Sequence, residues 1–147
     1  MIIKQERLTE KLIGELNPII EAHKDEVASF DLPLCVNWQA YDKLQEAGHL
    51  KLFVARDEGI IVGYCSCFIH SNMHYSTSLQ CFVDAVYLDP EYRGKMLGIK
   101  LFRHVEDIMT SSGIDIIQYH VKVQHDFSPV LSRLGYAFVE KIMAKRI

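Results

Sequence analysis

Two hydrophobic rhythms run along the chain. Leu12, Ile13, Leu16, Ile19 and Ile20 recur at helical spacing behind Thr9, a residue type whose hydroxyl can cap a first turn. Pro18 lies inside this run and predicts a kink or a split, because it has no amide hydrogen and its ring crowds the preceding turn. Asn37 predicts the cap of a second helix over 38–47, stopped by Gly48. The pattern then shortens to that of strands over 50–56 and 60–69, joined by a turn at Asp57-Glu58-Gly59, and over 79–88; residues 1–6 add another short strand. After Pro90 the helical spacing returns at Leu97, Leu101, Val105 and Ile108, predicting a helix over 94–111 ended by Gly113. A β-rich run over 114–123, a short helix over 128–134 and a final strand over 136–147 complete the chain. The order is that of a mixed α/β (α+β) domain: a mostly antiparallel sheet of six to seven strands, flanked by about four helices.

Composition narrows this further. At 147 residues the chain predicts a single domain, 1–147, able to build a core without disulfides or metal. The net charge of −3 argues against a general nucleic-acid binder. Residues 1–50 hold five Lys/Arg and nine Asp/Glu, whereas residues 93–103 carry Arg93, Lys95, Lys100 and Arg103 with no acid. Such a local basic cluster suits a small anionic ligand. Cys35, Cys65, Cys67 and Cys81 are scattered through apolar segments, so reduced thiols and a cytoplasmic location are expected. Residues 59–83 lack charged side chains but contain His70, Ser71, Asn72 and His74, which are costly in hydrocarbon; no membrane partner is expected.

The chemistry concentrates in one segment. A strand ends at Leu88, turns through Asp89-Pro90-Glu91-Tyr92-Arg93-Gly94-Lys95-Met96 and opens into an amphipathic helix. The first amides of a helix have no intrahelical partner, and the helix dipole adds positive potential at the same end. Gly94 and Gly98 allow close backbone approach, so a phosphate or pyrophosphate fits here. No Ser or Thr follows Gly94-Lys95 as a P-loop requires, and no G-x-G-x-x-G is present.

This turn resembles the GNAT family of acetyl-CoA-dependent N-acetyltransferases, whose signature is Gln/Arg-x-x-Gly-x-Gly/Ala at a strand-to-helix turn. Arg93-Gly94-Lys95-Met96-Leu97-Gly98 matches its first and last positions, and the element order matches over nearly the whole chain. It is similar to the compact single-domain members of bacteria and their phages. The resemblance implies acetyl-CoA as cosubstrate, with the coenzyme held by Val86, Tyr87, Leu88, Arg93, Gly94, Lys95, Met96, Leu97, Gly98 and Ser128. The strand at Val86–Leu88 would pair with the pantetheine arm and splay from the next strand. A main-chain N–H near Tyr87 would polarise the thioester carbonyl. Asp84 would take the proton of a primary amine, on a small molecule or a protein, that attacks the thioester directly. The resemblance also implies a possible homodimer.

Two departures from the family pattern bear on this. Met96 stands in place of the middle glycine. By spacing, Gln124 and Leu131 take the places where many members carry an Asn and an acidic Tyr; His120, Ser128 or Tyr119 could then protonate the leaving thiolate, or it could leave unaided. A non-catalytic acyl-CoA-binding or regulatory module is the alternative to the enzyme. The set Cys65, Cys67, His70 and His74 has the residue types of a zinc site, but a strand puts the cysteines on one face and His70 on the other, so no metal is expected. His70, His74 and Tyr75 could line an acceptor site, and Trp38 is expected in the core.

Overall fold

The computed structural model describes residues 1–147 as one five-stranded sheet with helices packed on both faces. β1 (Ile2–Glu6), β2 (Leu50–Asp57), β3 (Ile60–Ser71) and β4 (Leu79–Leu88) pair antiparallel in chain order, and β5 (Ile116–Tyr119) joins β4 in parallel. Glu58 and Gly59 both take left-handed φ, at 47° and 87°, forming the two-residue turn whose twist suits an antiparallel hairpin.

Strand alternation divides the interior into two cores. On one face, α1 (Glu10–Val27) and α2 (Trp38–Glu46) bring Leu12, Leu16 and Trp38 onto Leu52, Val54, Tyr64 and Tyr87. On the other, α3 (Leu97–Ser111) brings Leu101, Val105 and Met109 onto Phe53, Cys65, Cys67, Cys81 and Val83. Phe127, just before α4 (Ser128–Arg133), stacks on Phe102 at 5.6 Å between ring centroids. Thr9 and Asn37 cap their helices as expected, accepting hydrogen bonds from the amides of Leu12 at 3.2 Å and Ala40 at 3.0 Å.

Three expectations are corrected. α1 is not split at Pro18: the carbonyl that Pro18 leaves without a donor belongs to Gly14, and both residues are exposed, so water can satisfy it. α3 begins at Leu97 rather than 94, because Gly94 and Met96 take positive φ and cannot enter a right-handed helix. The sheet has five strands rather than six or seven. The C-terminal segment forms no ladder, and Phe138, Val139, Ile142 and Met143 are exposed. Its apolar residues come in adjacent pairs, which a strand would point to opposite faces, so neither face could be buried as a unit.

Candidate active site

The site forms where β4 and β5 separate. Their pairing covers Gln80–Val83 against Ile116–Tyr119, and the amide of His120 makes a final bond to the Val83 carbonyl at 3.2 Å. Beyond this point β4 runs on to Leu88 bonded only to β3, leaving a gap of about 200 Å³ bordered by His23, Asp84, Val86, His120 and Lys122. Bonded and non-bonded pairs alternate along an antiparallel ladder. The Asp89 amide donates to the Val62 carbonyl, in register with Gly63↔Leu88, so the alternation turns the main chain of Tyr87 toward β3 and that of Val86 into the gap.

Asp84 reaches this gap through a bulge. Ser66 faces Ala85 and Cys67 faces Val83, leaving Asp84 as the extra residue of β4. A bulge bends its strand and re-aims a side chain. Asp84 consequently borders both the gap and a second cavity, of about 270 Å³, under α1 and α2. Burial, and then the Asp84 charge, raise the Tyr41 hydroxyl above its usual range; the same charge adds to burial at Tyr64. At His120 burial lowers the pKa and Asp84 opposes it. The two catalytic candidates Asp84 and His120 are therefore brought together.

The turn after β4 has the shape of an anion cradle. The six consecutive amides from Gly94 to Ile99 donate to no protein acceptor. Met96 precedes α3 with φ 64° and ψ −3°, and no side chain caps the helix. This is the conformation that favours glycine, the residue the family pattern places there. The Met96 side chain is 58% exposed, so it leaves the free amides accessible. Lys95 lies over the Tyr92 ring at 5.8 Å, and the Tyr92 hydroxyl donates to Asp57 at 3.0 Å.

Arg93 is committed elsewhere. Its guanidinium donates to both Glu26 carboxylate oxygens at 2.8 Å, and its Nε donates to the Leu88 carbonyl at 2.8 Å. It ties the end of α1 to the turn and also lies 5.6 Å from the centroid of Tyr87. Sequence reasoning missed Glu26, and it missed His23, whose Nδ1 lies 2.7 Å from the Tyr64 hydroxyl. His23 follows Ile19 and Ile20 by helical spacing, which was the available signal that it faces the sheet. Burial, opposed by Glu26, lowers its pKa to about 4.

Other candidates fall outside the gap. The Tyr87 ring is buried against Tyr64 and His23. Tyr119 packs between Phe102 and Tyr136 on the α3 side of the sheet. Ser128 opens α4 with its amide bonded to Asp126 at 2.8 Å, and Leu131 is buried. Gln124 donates to Ser29 across the loop before α2. His70, His74 and Tyr75 border neither cavity, whereas Trp38 borders the larger one. Hydrogen bonding with Cys65, then burial, raises the Cys67 thiol, and hydrogen bonding with Cys67, then burial, raises Cys81. The structure gathers no group of three His, Cys, Asp or Glu at metal-binding spacing.

Four of the nine acidic residues in 1–50 are held in ion pairs. Arg56 bonds both Glu6 and Glu15, Arg7 pairs with Glu46, and Arg93 takes Glu26. None of these nine borders the larger cavity, where Asp84 is the one charged residue.

Comparison with known proteins bears on the fold and the family. No curated sequence matches the chain. A predicted acetyltransferase with acetyl-CoA from Clostridium acetobutylicum is 12% identical with a TM-score of 0.73, covering 99% of this chain and 96% of that one. The ribosomal-protein-alanine N-acetyltransferase of Brucella melitensis biovar Abortus 2308 is 16% identical with a TM-score of 0.75, covering 100% of both chains. Glucosamine-6-phosphate N-acetyltransferase from Arabidopsis thaliana is 17% identical with a TM-score of 0.70 over 99% of both. These likenesses establish the fold. The family model described as "Acetyltransferase (GNAT) family" matches residues 19–136, from within α1 to the residue after Gly135, and so spans the gap, the bulge and the turn: the chain belongs to the GNAT acetyltransferase family.

Proposed function

We propose that the protein is an N-acetyltransferase that moves the acetyl group of acetyl-CoA to a primary amine by direct attack. The observation that carries this is the gap between β4 and β5, which sets Asp84 and His120 beside the main chain of Val86, on the strand that leads into the free amides of Gly94–Gly98. The residues fit the coenzyme: unpaired amides at the start of a 15-residue helix suit a pyrophosphate, and an unpaired strand edge suits an amide-bearing arm. The donor supplies an activated acyl thioester. In this reading the Val86 amide donates to the carbonyl oxygen as charge develops there, in a site partly shielded from water.

Asp84 holds the incoming ammonium and accepts its proton, because only the neutral amine is a nucleophile. His120 stands across the gap, neutral at pH 7, as the group that can carry that proton onward. The raised thiols of Cys67 and Cys81 make poor nucleophiles, which favours direct transfer over an acyl-cysteine route. Arg93 acts in this scheme by seating the turn. Acceptor-dependent release of free thiol from acetyl-CoA, slowed by about 10²–10⁴-fold in Asp84→Asn, is the expected result. Coenzyme binding with no release on any amine would instead favour a binding module.

A further inference from the structure

The larger cavity says what kind of amine the site takes. It lies between α1, α2 and the sheet, and Asp84 and Ala85 border both it and the gap. Ten of its thirteen bordering residues are hydrophobic, among them Leu16, Ile20, Leu34, Trp38 and Tyr41. Three polar residues interrupt that apolar wall; Asn37 is engaged in capping α2, which leaves two. One is the Asp84 carboxylate at the junction with the gap. The other is Ser66, 2% exposed, whose Oγ has no hydrogen-bond partner. A buried hydroxyl is rarely left unpaired, so an unpaired one bordering a cavity points to a polar atom on the occupant. The loop over 28–37 carries exposed Phe30, Leu32 and Leu34, of which Leu34 borders the cavity.

From these features, and resting on the acyl-transfer reading above, we propose that the acceptor is a small aralkylamine: one primary ammonium on a short tether, an aromatic body in the cavity, and one hydrogen-bonding group on that body within reach of Ser66. A cavity of about 270 Å³ is near the small end of ligand sites. A polyamine or an aminoglycoside fits the chemistry poorly. Only one of its ammonium groups would meet Asp84, and the others would lose hydration among aliphatic side chains with no carboxylate to receive them.

Phenethylamine, tyramine, spermidine and kanamycin are suitable probes, compared as acceptors by thiol release and as ligands by fluorescence. Trp38 is the only tryptophan in the chain and borders the cavity, so its emission reports occupancy without any turnover. The expected result is kcat/KM about tenfold or more higher for the aromatic amines, with a saturable change in Trp38 emission. Tyramine should exceed phenethylamine by about threefold, and that difference should vanish in Ser66→Ala. Ser66→Leu, which fills the cavity floor, should abolish the aromatic preference. Leu34→Glu on the exposed loop, which leaves the sheet untouched, should shift preference toward spermidine. Efficient use of spermidine or kanamycin with phenethylamine inert would overturn the cavity assignment while leaving acyl transfer standing. A saturable Trp38 response to phenethylamine without thiol release from any amine would support the cavity and overturn the transfer reading. Neither response nor release with phenethylamine, in protein that binds acetyl-CoA, would overturn the proposal.

Discussion

Replacing Met96 with glycine should stabilise the protein without weakening the coenzyme site. Met96 sits at φ 64°, where an L side chain crowds its own backbone. That conformation costs roughly 1–2 kcal/mol in a non-glycine residue. Glycine removes the cost but gives the unfolded chain more freedom, which offsets about 0.4–1 kcal/mol. Little burial is lost, since Met96 is 58% exposed and belongs to none of the core clusters. The net expectation for Met96→Gly is a gain of about 0.5–1 kcal/mol, or about 1–4 °C in Tm for a chain of this size. Urea denaturation gives the first number and calorimetric titration with coenzyme A tests the second claim, that affinity is kept or raised. Met96→Ala is the control: it shortens the side chain but keeps the Cβ that causes the strain, so it should bring no gain. A lower urea midpoint for Met96→Gly, or a gain in Met96→Ala equal to it, would refute the reasoning.

Other consequences follow from the same geometry. Asp84→Asn should lower kcat/KM by about 10²–10⁴-fold with little change in Tm, because Asp84 is exposed and unpaired in the ladder; a drop in Tm matching the loss of activity would argue for a structural role. His23 should make folding pH-dependent. Its folded pKa of about 4 lies below the ordinary 6.5, so the unfolded state binds more protons between these values, and stability present above pH 6.5 falls as the pH drops toward 4. The loss should be on the order of 2–3 kcal/mol, and His23→Gln should flatten it in denaturation curves taken from pH 7 to 4.5. Arg93→Ala should cost about 1–2 kcal/mol by releasing Glu26 and the Leu88 carbonyl. Glu26→Gln should destabilise in the same direction without tightening coenzyme A; marked tightening in a titration would mean that Arg93 serves the coenzyme directly.

Much of the fold was legible because it rests on local patterns. The caps at Thr9 and Asn37, the Glu58-Gly59 turn and the three long strands follow from residue types within a few positions of one another. The anion cradle was legible for the same reason. What the sequence hid depends on partners far away in the chain. The pairing of Glu26 with Arg93 joins residues 67 apart, and that of Arg56 with Glu15 joins residues 41 apart. The bulge at Asp84 is a matter of register between β3 and β4, which no single strand reveals. The absent final strand reflects a want of partners rather than of β-forming residues: 136–147 has the composition, but nothing covers both of its faces.

The central claim is a direct transfer of an acetyl group to an amine in the gap beside Asp84. A single turnover with protein in excess over acetyl-CoA and phenethylamine as acceptor, quenched and analysed by mass spectrometry, tests it most directly. The account predicts N-acetylphenethylamine and free coenzyme A in equal amounts, protein mass unchanged, and amide formation slower by about 10²–10⁴-fold in Asp84→Asn. An acetyl group retained on the protein, or intact acetyl-CoA bound at saturation with no amide formed from any primary amine, would contradict it.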